Sequence, residues 1–332
     1  MDKSRKRSRR LWGIGAALLF CLAISILLGR YPKPYVTPIS AVRDDALALN
    51  LILNLRIPRI LSALLVGMVL SAAGAVFQMI FRNPLVDSGF LGVSQGAAFG
   101  ASLAIVFLGG TAVAVQGAAA VFAFLGLAAS YFLARRIRLG DWVLRLVMAG
   151  IAVSALYSAA TGGIKYLADP SRHLPDITFW MLGGLWAITW KDVLQILPVT
   201  VPCLVVLYLL RWRLNLLSLR DETAFSLGVA PGRERLIMLV AAAASTAAAV
   251  SKAGQIAWVG LIVPHIARRI VGSDSQRALP ASMLLGGVFV LLCDDLARTA
   301  LSGEIPLGIL TSFIGTGLFL VLLLRRKLEI RK

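Results

Sequence analysis

Apolar residues in this chain fall into long runs, not alternating pairs. Ten runs of 17 to 24 residues stand out, at 11–29, 57–80, 91–109, 112–134, 143–165, 193–211, 235–253, 256–272, 280–300 and 307–324. A helix needs about 20 apolar residues to cross a hydrocarbon core, so each run predicts one transmembrane helix. The alternating ten-residue segments of a membrane barrel are missing. The shortest run, 256–272, is interrupted by Pro264, and only Ala-Gly-Gln at 253–255 separates it from the run before. The pattern predicts an all-α polytopic membrane protein with ten transmembrane helices, in a single domain over 1–332. Three stretches fall outside the runs: a basic tail at 1–10, a polar segment at 30–56 with Pro32, Pro34 and Pro38, and a charged loop at 212–234.

Composition agrees. Of the 332 residues, 58% are hydrophobic and only 15% charged, with a mean hydropathy of +0.83. Soluble domains carry about 25% charged residues. A water-soluble globule could not hide this much apolar side chain, and a disordered chain needs low hydrophobicity. Gly and Pro follow no three-residue period, which excludes a collagen-like fibre.

The net charge of +18 raises the question of nucleic acid. The basic residues, however, sit in short clusters between apolar runs, with no interleaved aromatics. With the N-terminus inside, 24 Lys and Arg fall on the inner side and 10 on the outer. That split places both termini in the cytoplasm, as an even number of helices requires. The expected location is the cytoplasmic (inner) membrane, multi-pass, with the bilayer as a partner and no nucleic acid. The basic start followed by Leu11–Leu28 has the look of a signal peptide. No small-residue cleavage site precedes Tyr31-Pro32, so it reads as an uncleaved first helix.

Candidate chemistry is sparse. Cys21, Cys203 and Cys293 are far apart in apolar sequence and read as small buried hydrophobes. There is no phosphate-binding G-x-x-x-x-G-K-[ST] loop, no HExxH and no G-x-S-x-G elbow. With only His173 and His265, no histidine-rich metal site is expected. His265, after Pro264, reads as a structural hydrogen-bonding residue. No catalytic residue, metal or cofactor is predicted. Asp294 and Asp295 lie inside the ninth run, where ionisable groups mark function by default. Asp294 stands four residues before Arg298, the spacing of a helix-surface ion pair, and a structural pair is expected.

Small residues recur on helical faces: Gly67, Ser71 and Gly74; Gly96 and Gly100; Ser312, Gly315 and Thr316. Such faces let helix backbones approach closely in lipid. In the loop 212–234, apolar and charged residues follow helical spacing and then meet Gly228 and Pro231-Gly232. This predicts two short amphipathic helices and a turn, either lying on the membrane surface or docking a soluble partner.

From Arg56 onward the chain resembles the FecCD-type permease family, the membrane subunits of ATP-driven importers for iron-siderophores, haem and cobalamin. The likeness rests on motifs in order: Arg56-Ile-Pro58-Arg59, Gly74 and Gln78, Arg82-Asn83-Pro84-Leu85, Leu91 to Gly96, Ser226 to Val229, GQIAWVGLIVPHIARRIVG from Gly254, and Asp294…Arg298…Glu304 to Gly308. It covers nearly the whole chain after the N-tail. The resemblance implies a permease domain of ten helices that pairs with a second permease around one path; a homodimer is the expectation, with a paralogous second half as the alternative. It also implies two separate ATP-binding subunits and an extracytoplasmic substrate-binding protein. ATP hydrolysis would lie in those separate subunits, so this chain itself is not expected to be an enzyme.

Residue roles follow from the same resemblance. In cobalamin-type members, outer arginines receive glutamates of the binding protein, and Arg56, Arg59 and Arg298 match those positions. Arg suits the role because its planar fork binds carboxylate in a bidentate manner. The loop at 215–233 matches the coupling helices, with Asp221, Glu222, Leu227, Gly228, Val229 and Pro231 facing the ATPase and 227–229 at the turn between them. Trp180, Met181, Leu182 and Gly183 resemble a gate helix that lines the path with the fifth span. The chain departs from relatives at Ser88, Arg220, Trp258 and Ser275-Gln276-Arg277, which leaves the ligand class open. The expected function is a permease subunit of a binding-protein-dependent importer. The competing reading is a proton- or sodium-coupled secondary transporter using Asp294 or Asp295; an intramembrane enzyme lacks the facing polar clusters it would need.

Overall fold

A computed structural model describes residues 2–31, 35–87, 89–219, 221–301 and 303–324. Ser88, Arg220, Pro32, Pro34 and the basic C-terminal stretch 325–332 lie outside the described residues. Among the described residues the protein is helical throughout, with one isolated β-bridge between Leu28 and Val36 and no strand.

The helices in chain order are α1 (Asp2–Leu27), α2 (Ile39–Asp44), α3 (Ala46–Leu51), α4 (Ile57–Ile80), α5 (Val93–Phe107), α6 (Ala112–Arg136), α7 (Trp142–Leu167), α8 (His173–Leu182), α9 (Trp190–Leu209), α10 (Arg213–Leu217), α11 (Asp221–Ser226), α12 (Pro231–Ala253), α13 (Val259–Val271), α14 (Ser275–Thr299) and α15 (Leu307–Leu324). A π-helical turn, Ile52–Arg56, joins α3 to α4 without a break. Each of the ten predicted runs holds one helix. Eight helical stretches among the described residues are long and apolar enough to cross a membrane. The other two, α5 and α13, have 15 and 13 residues and fall short by that measure.

Differences from the expected boundaries have local causes. The basic N-terminal tail is already helical, because no breaker separates Asp2 from Leu11. The segment before Pro58 is not a simple surface loop; it folds as α2 and α3, with Asp45 capping α3 through Leu47 N and Ala48 N. The run 256–272 loses its first residues because Gly254 and Trp258 take positive φ (65° and 71°), so α13 begins only at Val259. Pro264 sits inside α13 without ending it.

α4 and α12 form the core of the bundle. In each, 78% of the most apolar stretch is buried within the protein, against 17% for α1 and α15. The outer helices therefore turn most of their apolar surface outward, as membrane-exposed helices do. α4 packs tightest on α14, where the two backbones touch: a Cβ on Gly67 would collide with Gly286 O, and one on Gly286 with Gly67 O. Ser71 Oγ donates to Ser282 O at 2.7 Å one turn further on. Gly74 meets α13 at Gly260 in the same way, and Gly96 and Gly100 bring α5 onto α6. Two of the three predicted small-residue faces are thus backbone contact surfaces; on the third, Gly315 packs on the Trp258 side chain and Ser312 and Thr316 line a cavity.

Candidate functional site

Three regions carry the polar chemistry, at two ends of the bundle. The 24-residue α4 spans about 36 Å between those ends.

At the N-terminal end of α4, Arg56, Arg59 and Arg298 come together around one cavity of about 250 Å³, with Arg30, Trp186 and Glu304 also on its wall. The sequence predicted these three arginines as a group, and the fold brings them into one place from α4 and α14. None projects freely: they are 8%, 9% and 9% exposed. Arg56 donates to the carbonyls of Ile26 (3.1 Å) and Tyr31 (3.2 Å), tying α1 to the loop after it. Arg59 Nε donates to both oxygens of Asp294 at 3.0 Å, and its Nη1 to both oxygens of Glu304 at 2.8 and 2.9 Å. Arg298 Nη2 donates to Ser25 O (2.7 Å), Ser25 Oγ (2.8 Å) and Asp295. Ser25 Oγ in turn donates to Asp295 at 2.6 Å.

The expected pairing of Asp294 with Arg298 is therefore a loose one, at 3.9 Å. Asp294, fully buried, is held by Arg59 from the neighbouring helix, and Asp295 takes Arg298 instead. Burying charges is tolerable only when each is paired, and this cluster interleaves Arg and Asp for that reason.

Beside this cluster lies α8, the predicted gate helix. It ends at Gly183, whose φ of 68° no side chain favours. Three contacts rivet that end. Leu307 N donates to Gly183 O at 2.9 Å, Gly184 N donates to Ala253 O at 2.8 Å, and Gly254 lies so close that a Cβ there would strike Trp180 O. The start of α15 and the end of α12 thus both hold the tip of α8. Met181 and Leu182 line a cavity of about 840 Å³ with Gln255 and one face of α15, including Ser312 and Thr316. Trp180 lines a second cavity of about 390 Å³ toward α5 and α6. α7 lines neither of these two cavities, and α15 forms one wall of the larger.

Next to Trp180 the structure holds a buried ion pair that the sequence reading missed. Lys252 Nζ donates to Asp192 at 2.8 Å and also to Gln116 and Gln195, so one ammonium joins α6, α9 and α12. The available signal was a lysine inside one apolar run and an aspartate one residue before another.

At the other end of α4 is the charged loop. α10 and α11 are the two short helices expected, but the turn Leu227–Val229 lies between α11 and α12, not between the pair. The reason is Gly228, at φ 80°, followed by Pro231 at the first turn of α12, where a missing N–H costs nothing. Asp221 anchors the loop: Arg235 donates to its two oxygens at 2.9 and 2.6 Å, and Arg82 approaches to 3.9 Å. The Arg235 hydrogen bonds hold the Asp221 carboxyl below its ordinary value. Val229 is buried, while Glu222, Phe225 (73% exposed) and Leu227 (55%) face outward. Phe225 and Leu227 thus stand exposed on a loop that Asp221 anchors.

No group of three or more metal-ligating side chains occurs among the described residues.

Comparisons with known proteins agree with this layout. Residues 17–325 match the FecCD transport family. The chain is 42% identical over 279 residues to a probable iron chelatin transport system permease protein of Helicobacter pylori, covering 83% of each chain. It is 37% identical over 324 residues to the molybdate import system permease protein MolB of Haemophilus influenzae, covering 96% of each. Among solved structures, a metal-chelate type ABC transporter in an inward-facing conformation superposes with a TM-score of 0.88 at 37% identity, covering 96% of this chain and 100% of that one. This chain belongs to the FecCD transport family, and is a multi-pass ABC importer permease of the metal-chelate type, not an enzyme.

Proposed function

We propose that this chain forms the translocation path for an iron-siderophore, haem or cobalamin-type ligand, as one of two identical permease subunits. Two ATP-binding subunits drive it from the cytoplasmic side, and an extracytoplasmic binding protein delivers the ligand. The observation that carries this reading is the division of labour along α4: an arginine-lined cavity at one end, an anchored loop with bare apolar residues at the other, and a glycine-riveted short helix beside a large cavity between α8 and α15. Arg56, Arg59 and Arg298 serve docking of the binding protein. Asp221, Glu222, Leu227, Gly228, Val229 and Pro231 serve coupling to the ATPase. Trp180, Met181, Leu182 and Gly183 gate the path. On this reading α5 and α13 are short spans, making ten, and both termini are cytoplasmic, as the distribution of Lys and Arg favours.

A secondary carrier would need a carboxylate free to exchange a proton or sodium ion. Asp294 and Asp295 are each engaged by an arginine, which speaks for the importer. The test is ligand uptake into proteoliposomes holding this chain and its ATPase, with ATP inside and the binding protein plus iron chelate, haem or cobalamin outside. Uptake that requires both ATP and the binding protein is the expected result. Uptake without the ATPase, following a proton gradient, would reverse the conclusion.

A further inference from the structure

Arg59 has two carboxylate partners of opposite character. Asp294 is fully buried on α14, and its contact with Nε belongs to the packing of the helices. Glu304 comes from the connection between α14 and α15, and its side chain is 41% exposed. It is the one acidic residue lining a cavity whose other charged wall is Arg30, Arg56, Arg59 and Arg298. Its carboxylate takes Arg59 Nη1 with both oxygens, the geometry a carboxylate from another protein would use.

Glu304 is also mechanically placed. One residue on, Ile305 N donates to Ala297 O at 3.1 Å. Three residues on, Leu307 N donates to Gly183 O, the C-terminal cap of α8, and Gly308 packs so closely on Leu182 that a Cβ would collide with its carbonyl. Glu304 thus stands three residues from the anchor that holds the tip of α8.

We propose that Glu304 is an internal stand-in for a partner's carboxylate: it occupies Arg59 in the undocked permease, is displaced when an acidic side chain of the binding protein enters the cavity, and on leaving loosens the start of α15 from Gly183. This rests on the docking role of Arg59 given above. Glu304 then lowers the affinity of docking by competing for one guanidinium, and it links docking to the gate.

The test is a titration of the fluorescently labelled binding protein of the same transporter onto the permease–ATPase complex in nanodiscs. Glu304→Gln removes the competing charge and should tighten binding by about tenfold, the scale of one close charge contact at an interface. Glu304→Asp, shorter but still charged, should fall between. A lesion that only damaged the fold would weaken binding instead. In an Arg59→Gln background, where binding is already weak, Glu304→Gln should bring no tightening. A nitroxide at Gly303→Cys, whose surroundings are open, should gain mobility on docking. If Glu304→Gln binds no tighter than the parent while Arg59→Gln binds weakly, the stand-in is refuted and the docking site survives. If Arg59→Gln binds like the parent, the docking reading itself falls, and this inference with it.

Discussion

Arg59 and Asp294 are 235 positions apart in sequence, yet Nε of one donates to both carboxylate oxygens of the other at 3.0 Å. Asp294 is fully buried and Arg59 nearly so. The pair closes one end of the α4–α14 interface, about two turns from the mid-helix contact where Gly67 and Gly286 bring the backbones together. It explains why two ionisable groups persist inside apolar runs: each makes the other tolerable.

Removing both members should therefore cost less than the sum of removing each. Asp294→Asn leaves the buried Arg59 guanidinium with only the part-exposed Glu304, a loss of no more than about 3–5 kcal/mol, the cost of breaking an isolated buried pair. The double variant Arg59→Met with Asp294→Leu should lose less than the sum of the single changes. Thermal unfolding of the four proteins in detergent measures both; strict additivity would show the pair is not coupled.

The α4–α14 contact makes a second prediction. Gly286→Ala places a methyl group against Gly67 O and Ser71 Cβ, and should destabilise by about 1–3 kcal/mol. Gly162→Ala on α7 has nothing within 4 Å of its new Cβ and should be neutral or slightly stabilising. Comparing the Tm of the two separates backbone crowding from a general intolerance of alanine.

Asp221 should make the loop sensitive to acid. Its carboxyl is held below the ordinary value by hydrogen bonds from Arg235. The anchoring is therefore fully present above the unfolded-state pKa of about 4 and is lost as pH falls through the lower folded value. The side chain is 59% exposed, so the effect should be under about 1 kcal/mol. Once the fall of the chemical exchange rate toward acid is divided out, protection of α10 and α11 should drop with falling pH in the parent, and should already be low and pH-insensitive in Asp221→Asn.

Phe225 and Leu227 are exposed and contribute nothing to the core, so Phe225→Ser with Leu227→Ser should leave the stability within about 0.5 kcal/mol of the parent. The same variant should lose co-purification with the ATPase subunit and ATP-driven uptake. Retained co-purification would move the coupling surface elsewhere.

The apolar runs and the ordered motifs were enough to read the helical class, the family and which arginines belong together. Run length, glycine spacing and charge are local properties, and burial in lipid leaves helices few alternatives. Gly254, between two runs, is a legible breaker, whereas the positive φ of Trp258 inside the next run has no local signal and is imposed by the fold.

Partnership was a different matter. The spacing of Asp294 and Arg298 suggested a pair on one helix, because four residues is the only distance a sequence displays. The structure gives Asp294 to Arg59 and Asp295 to Arg298, since helices packed at backbone contact present a nearer guanidinium than the next turn does. Lys252 with Asp192, and Glu304 on Arg59, likewise join residues far apart in the chain. The sequence alone determined which apolar runs become helices and what chemistry they carry; only the tertiary structure decided which charges meet, because in a medium that cannot solvate them they are matched by proximity in space.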